Sequence, residues 1–359
     1  MITGNKGEWS EIYALLKIVA DKKLFAGDAD LNKIENLIFP IIKVLRDESD
    51  GTYEYSYEDN LVIIKGNSEI FKVPIVEFQQ QAVNLLSILK QKTDTTFSIP
   101  EVETFVNSFN CYSIKAKYSQ KSDIHVVIHD KQIGTTAKLG FSIKSQIGKA
   151  ATLFNSSQSS NFIYKITGAD FSENEIETIN NIDTQSKIGD RVRAILEKGA
   201  NLQFLETEGE VLNGNLILID SCLPKILSEL IVLFNAKNES NLLKLTELLE
   251  NNNPMNYNNN RGHKFYAYKI KQLLTSCALG MQSTMVWTGK LDATGGYLVV
   301  KEYGEVLCYH IYNRNDFEDY LLNNTRLINP SSTRNKFGKI YKEHNELFFK
   351  LNIQIRFLK

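Results

Sequence analysis

The stretch "DIHVVIHDKQIGTTAKLGFSIKSQIG", residues 123–148, is the most informative part of the sequence. Apolar and β-branched residues alternate with polar ones on both sides of a polar turn, a pattern that predicts a β-hairpin. If the turn is centred near residues 133–134, antiparallel pairing places Asp123 opposite Lys144 at one end of the two strands. The hairpin therefore carries a carboxylate and an ammonium group at the same end.

This pairing of charges suits the cleavage of a phosphodiester. A hard cation polarises the phosphate and activates water, and carboxylate oxygens are its preferred ligands. A nearby lysine can stabilise the developing negative charge or orient the attacking water. The alternative is a routine surface ion pair between Asp123 and Lys144, which contributes little. The hairpin by itself leaves both interpretations open.

Length and composition indicate an ordinary globular protein. The chain has 359 residues, 43% hydrophobic and 23% charged, which favours two domains or one large domain with elaborations. No apolar run approaches the length of a membrane helix, and the N-terminus lacks a signal-peptide pattern. The four cysteines are far apart and have no metal-ligand spacing. A reduced, cytoplasmic protein without a membrane partner is expected.

The net charge is −1, but the charges are unevenly distributed. Residues 321–359 hold eight Lys and Arg against two acids, and residues 111–149 hold seven lysines against two acids. Residues 28–60 instead hold nine acids against three bases. The two basic segments could bind a polyanion locally, or they could simply be solvated surface.

The secondary-structure pattern predicts a mixed α/β protein. A first helix is expected from about Lys6, and a small meander of strands over residues 53–76. Further helices and strands then alternate irregularly, which argues against a sandwich or a bundle. Residues 201–220 are predicted to be a pair of strands, and residues 326–339 a polar loop.

Several long strings resemble the HpaII-type restriction endonucleases. They are "GNKGEWSEIYALLKIVADKKLF" (4–25), "GFSIKSQIG" (140–148) with "ATLFNSSQSSNFIYKITG" (151–168), and the segment 291–327 beginning "LDATGGYLVV". The similarity runs nearly end to end and keeps the motif order. It implies a type II restriction enzyme with a PD-(D/E)XK core, dependence on Mg²⁺ and a short palindromic target, which is CCGG for the namesake.

The hairpin resembles the PD-(D/E)XK motif with one departure. In that motif the second strand carries an acid, any residue, then lysine, whereas this chain has "SIK". Ser142 therefore stands where a carboxylate is expected. Its hydroxyl could ligate a metal or hold a metal-bound water, and Gln146, which shares the same face, could supply a carbonyl oxygen. Asp123 is expected to ligate the metal directly, and Lys144 to orient water or stabilise charge.

The missing carboxylate is expected from the first helix. Glu11 is the first choice as a second metal ligand beside Asp123, and Glu8 is the second choice. The alternative is that both glutamates are acids favoured near a helix N-terminus by the helix dipole.

Two polar segments are candidates for contact with DNA. Arginine bonds bidentately to guanine in the major groove, so Arg334 is the first choice as a base reader and Arg326 the second. Hydroxyls and amides more often hold phosphates. The candidate phosphate contacts are Ser331, Ser332, Thr333, Asn155, Ser156 and Ser157. Both segments could instead be ordinary solvated loops.

The expected organisation has three parts. Residues 1–95 would form the first helix and the small meander, residues 96–250 the PD-(D/E)XK catalytic core, and residues 251–359 a strand-rich region with the recognition loop. The expected activity is Mg²⁺-dependent cleavage of double-stranded DNA at a short GC-containing palindrome. A palindromic target would suit a homodimer or a monomer that cuts each strand in turn. The alternatives are a catalytically inactive DNA-binding protein, motivated by Ser142, and a structure-specific repair nuclease.

Overall fold

The computed structural model describes residues 2–114, 122–130 and 134–359. The predicted turn centre, near residues 133–134, therefore lies at the edge of the described residues. The helices are α1 Lys6–Asp21, α2 Ile75–Gln91, α3 Pro100–Asn107, α4 Glu173–Asn180, α5 Lys187–Glu197, α6 Glu210–Ile219, α7 Leu223–Lys237, α8 Leu242–Asn252, α9 Phe265–Leu279, α10 Arg314–Asn323 and α11 Ser332–Asn335. None of the described helices is both long and apolar enough to span a bilayer.

The strands form three sheets. They are β1 Lys23–Gly27, β2 Lys33–Glu48, β3 Gly51–Glu58, β4 Leu61–Gly66, β5 Glu69–Pro74, β6 Ile124–Asp130, β7 Thr135–Ser145, β8 Thr152–Phe154, β9 Asn161–Thr167, β10 Asn201–Thr207, β11 Gly296–Val300, β12 Val306–His310, β13 Thr325–Ile328, β14 Ile340–Glu343, β15 Glu346–Asn352 and β16 Gln354–Phe357. The predicted mixed α/β class and the β3–β5 meander are confirmed.

The largest sheet has nine strands in the order β1-β12-β11-β7-β6-β2-β3-β4-β5. Strands β1 and β2 also pair with each other, so six of these strands close into a barrel. Closure depends on the length of β2, whose first half pairs with β1 while its second half pairs with β6 and β3. The sequence patterns did not predict this closure.

Helix α1 is buried along almost its whole length. A capping box fixes its start, because Asn5 and Glu8 each accept a hydrogen bond from the other's backbone amide. Its side chains from Trp9 to Ala20 are buried with few exceptions, and the Trp9 indole donates to the Phe97 carbonyl at 3.1 Å. A helix that is apolar on nearly all sides belongs to a core, and α1 packs against β7 and α2.

The chain divides into two compact units. The first comprises residues 1–151, 291–320 and 359, and the second comprises residues 152–290 and 321–358. This division differs from the three predicted segments because β11 pairs in parallel with β7, which brings residues 296–300 into the sheet of the hairpin. The second unit holds the sheet β10-β9-β15-β14, the sheet β13-β16-β8 and the helices from α4 to α9.

The predicted strand pair over residues 201–220 is only half correct. Strand β10 is present, but residues 210–219 form helix α6. A short apolar run fits a buried strand or a buried helix equally well, and here Leu212 and Leu216 lie one helical turn apart on a buried face.

Candidate active site

The hairpin brings Asp123 and Ser142 together directly. Strands β6 and β7 are antiparallel with Ile124 opposite Phe141, and the Asp123 amide donates to the Phe141 carbonyl at 2.8 Å. This register places Asp123 opposite Ser142, so the prediction that it lies opposite Lys144 is wrong by two residues. The error follows from the assumed turn centre, which lies one residue too far along the chain. Asp123 and Lys144 still occupy the same end of the hairpin.

Three short contacts join the acid, the hydroxyl and the lysine. The Ile143 amide donates to Asp123 Oδ2 at 2.6 Å, and Ser142 Oγ donates to the same oxygen at 3.1 Å. Lys144 Nζ donates to Ser142 Oγ at 3.0 Å. Ser142 is only 6% exposed, so its hydroxyl is held in this position. It links Asp123 to Lys144, and we call these three side chains the acid–hydroxyl–lysine cluster.

The surroundings of Lys144 lower the pKa of its ammonium group. The side chain is half-buried, and its ammonium group lies 5.0 Å from the centre of the Tyr297 ring on β11. Burial lowers the pKa of Lys144 below its ordinary value, and the carboxylates of Asp123 and Glu11 offset part of that lowering. The lysine is therefore a cation that is costly to keep charged in the folded protein.

Glu11 lies within electrostatic range of this cluster, whereas Glu8 has a different contact. Glu11 is half-buried on α1, and its charge acts on Lys144. The hydroxyls of Ser10 and Ser145 lie 2.8 Å apart and join α1 to the end of β7. Glu8 accepts the Asn5 amide in the capping box, which is the structural role expected of a first-turn acid.

Gln146 follows directly after β7. Its amide donates to the Val300 carbonyl at 2.9 Å, which continues the pairing with β11. The residue is half-buried. Its predicted role as an oxygen donor to a metal stays a prediction.

The donors at the cluster fit Mg²⁺ if substrate phosphates supply the remaining ligands. Its donors are oxygens, and among the described residues the Ser142 hydroxyl and the Ile143 amide both donate to Asp123 Oδ2. Within those residues no three His, Cys, Asp or Glu side chains form a metal-binding group. Mg²⁺ is usually held by one or two carboxylates together with substrate phosphates, and not by a cage made only of protein. Asp123 and Glu11, whose charges both act on Lys144, are two carboxylates of the kind that such a site would use.

The second unit brings the two polar segments together. The side chain of Asn335 donates to Ser156 Oγ at 3.5 Å, and the Asn161 amide group donates to the Asn335 carbonyl at 2.9 Å. Ser331 caps α11 by accepting the Arg334 amide. The segments around residues 155–157 and 331–335 are thus neighbours, although the roles predicted for their residues stay predictions.

The two candidate base readers differ in their setting. Arg334 lies on α11 and is exposed, as a group that reaches a ligand must be. Arg326 is half-buried and lies on β13, so the prediction that it belongs to a polar loop is wrong. The apolar residues Leu327 and Ile355 pair at this position and extend the sheet into the predicted loop.

A polar groove of about 700 Å³ runs beside α11. Ser332 and Thr333 line it, and its charged lining is mainly basic: Lys187, Arg191, Lys336, Lys339 and Lys350 against Asp183 and Glu343. Asn180 fixes one wall by exchanging two hydrogen bonds with the backbone of Ile340. The basic composition of residues 321–359 pointed to this surface, but Lys187 comes from α5 and was not predicted.

These features define a mixed α/β protein whose first unit holds groups suited to phosphate-ester hydrolysis and whose second unit holds a basic groove. The family model described as HpaII restriction endonuclease matches residues 5–357, and the chain belongs to that family. It is 45% identical over 359 residues to the type II restriction enzyme HpaII of Haemophilus parainfluenzae. The aligned region covers 99% of this chain and 99% of that enzyme. No solved structure matches the chain. The resemblance to the HpaII-type restriction endonucleases, noted from the sequence, is confirmed.

Proposed function

We propose that the protein is a Mg²⁺-dependent type II restriction endonuclease that cleaves double-stranded DNA at a short GC-containing palindrome in the cytoplasm. CCGG is the proposed target, by resemblance to the namesake of the family. The observation that carries the proposal is the acid–hydroxyl–lysine cluster at the end of β6 and β7 in a chain of the HpaII family. We further propose that these strands belong to a PD-(D/E)XK core in which Ser142 occupies the second acid position.

Asp123 and Glu11 would hold the metal. Bound there with a DNA phosphate, Mg²⁺ would supply Lewis-acid polarisation and a water of lowered pKa. The Ile143 amide and the Ser142 hydroxyl both bind Asp123 Oδ2, which fixes the carboxylate and leaves Oδ1 for the cation. Preorganised donors of this kind lower the cost of reorganisation during reaction.

Lys144 would act on the phosphate. Its ammonium group is held 3.0 Å from Ser142 Oγ, and the charges of Asp123 and Glu11 favour its protonated form. A cation in a partly dry site stabilises the negative charge that develops on a phosphate oxygen far better than one in water. Because the pKa of Lys144 is lowered, the group can also pass a proton to the leaving oxygen.

The basic groove of the second unit would bind the DNA backbone. Lys336 and Lys339 are exposed and line the same groove as Ser332 and Thr333. Such lysines neutralise phosphates and set the register of the protein on DNA, while the exposed Arg334 would read a base. A palindromic site can be cleaved by a homodimer or by one protomer that cuts each strand in turn. Sedimentation of the DNA complex distinguishes these two assemblies.

Ser142→Ala is expected to slow cleavage by about 10–100-fold, the range for groups that orient a metal ligand. The change removes the link between Asp123 and Lys144 but leaves both charged groups in place. Cleavage under single-turnover conditions measures the rate, and DNA affinity without Mg²⁺ should be unchanged. Ser142→Thr keeps the hydroxyl and should restore most of the rate. A Ser142→Ala enzyme as fast as the wild type would mean that the hydroxyl has no positioning role.

The function itself is tested with sequenced, unmethylated plasmid DNA, incubated with the protein in Mg²⁺ or in EDTA, followed by sequencing of the ends. Fragments with a common end sequence that require Mg²⁺ would support a restriction endonuclease and reveal its target. Binding without cleavage under several divalent cations would instead support the inactive DNA-binding alternative. Cleavage at branched or damaged sites without a common sequence would support the repair alternative.

A further inference from the structure

Two arginines lie directly opposite each other in the second unit. Strands β13 and β16 are antiparallel, and Arg326 is the partner of Arg356 in their register. Residues that face each other across an antiparallel pair project from the same side of the sheet, and their side chains are close neighbours. Both arginines are half-buried. Arg356 had no predicted role, since it lies inside an apolar strand sequence.

Neither guanidinium group is neutralised within the described part of the chain. The Nε atoms of Arg326 and Arg356 are both shut off from solvent and have no hydrogen-bond partner among the described residues. Arg193 in the same unit shows the ordinary arrangement, because its guanidinium group donates to the Asp190 carboxylate and to the Asn235 carbonyl. Like charges placed directly opposite each other are destabilising, so the Arg326–Arg356 pair is a local energetic cost.

The strands of the same sheet do not offset that charge. Strands β8, β13 and β16 contain no acidic residue, and the neighbour of Arg356 on β8 is Thr152. Asn241 forms a backbone bridge to Arg326, and the closest acid along that segment is Glu239. Its carboxylate accepts the amides of Ser240 and Asn241 and pairs with Lys244.

We propose that Arg326 and Arg356 together bind one phosphate of the DNA backbone. This inference rests on the proposed function and assigns the pair a positioning role in it. A phosphate accepts hydrogen bonds from both guanidinium groups and neutralises their mutual repulsion. A guanine edge offers acceptors but no charge, so it would leave the repulsion in place. The pair therefore sets the register of the DNA, and Arg326 acts on the backbone and not as a base reader.

The test compares Arg326→Gln and Arg356→Gln with Arg193→Gln as the matched control. DNA affinity is measured without Mg²⁺ by fluorescence anisotropy, on duplexes with and without the target, over a series of KCl concentrations. Either variant should weaken binding to both duplexes by a similar factor, about tenfold, and should reduce the slope of log affinity against log salt by about 0.9. The melting temperature should stay equal or rise, because the repulsion is removed. Arg193→Gln should lower the melting temperature and leave affinity and slope unchanged.

Three results would overturn the inference. Unchanged affinity and slope would remove the arginine pair from the DNA interface. A loss confined to the target duplex would identify base readers instead. A fall in melting temperature like that of the control would identify structural arginines. If wild-type protein itself bound neither duplex, the proposed function would fail before the pair was tested, so the two failures are distinguishable.

Discussion

Asp123→Asn is expected to reduce the rate of DNA cleavage by about 10³-fold or more, because loss of a charged metal ligand removes Lewis-acid stabilisation worth several kcal/mol. The asparagine oxygen can still accept the Ile143 amide and the Ser142 hydroxyl, so the hairpin should keep its structure. The measurement is single-turnover cleavage of a duplex that contains the target, at saturating Mg²⁺. DNA affinity without metal should be equal to that of the wild type or higher, because one negative charge near the phosphates is removed.

Asp94→Asn is a suitable control, since Asp94 is an exposed acid of the same unit that lies outside the cluster. It should cleave at the wild-type rate. If Asp123→Asn retained a rate within tenfold of the wild type, Asp123 would not be a metal ligand. The acid–hydroxyl–lysine cluster would then be a structural hydrogen-bond network and not the active site.

Lys144→Met is expected to lower the cleavage rate by about 10²–10³-fold, the usual effect of removing one group that stabilises transition-state charge. The same change should leave the melting temperature at pH 7 equal or higher, although it also removes the contact with the Tyr297 ring. The reason is that burial lowers the pKa of Lys144, so its charged form is less favourable in the folded protein than in the unfolded chain.

The lowered pKa of Lys144 also predicts that the free energy of unfolding depends on pH. Between the lowered pKa of the folded state and the ordinary pKa of lysine, the unfolded chain binds more protons than the folded protein. The contribution of Lys144 to the free energy of unfolding therefore rises with pH across that window, and Lys144→Met should abolish this part of the rise. Chemical denaturation at a series of pH values measures it.

Lys138→Met provides the control, because Lys138 is an exposed lysine on the same strand. It should change neither the cleavage rate nor the rise in the free energy of unfolding that is due to Lys144. Lys144→Arg keeps the charge but cannot release a proton, so its rate separates charge stabilisation from proton transfer. A fully active Lys144→Met protein would remove the lysine from the mechanism.

The hairpin and the residues at its end were predictable because they are local. Alternation of side chains fixed the two strands and put Asp123 and Lys144 at one end. The two-residue error in register came from the turn, whose centre the alternation does not specify. The bond from Ser142 to Asp123 follows from the correct register and could not be predicted from the wrong one.

The barrel, the strand beside β7 and the arginine pair could not be predicted, because they depend on pairing between distant parts of the chain. The barrel closes because β2 pairs with both β1 and β6, and the neighbour of β7 is β11, more than a hundred residues later. Arg356 was missed for the same reason, since its strand sequence indicates a face but not the partner strand that carries Arg326. The sequence also did not show that Glu8 takes part in the capping box of α1, while the charge of Glu11 acts on Lys144.

Iron(II)-dependent cleavage of the protein backbone would show where the metal ion binds. Fe²⁺ can replace Mg²⁺ at oxygen-donor sites, and with ascorbate and peroxide it cuts the polypeptide beside the bound ion. In the presence of target DNA, the cuts should fall near Asp123, residues 142–144 and Glu11. Excess Mg²⁺ and the Asp123→Asn substitution should each suppress them. Cuts confined to other parts of the chain, unaffected by Asp123→Asn, would place the metal elsewhere and contradict the assignment of this cluster as the active site.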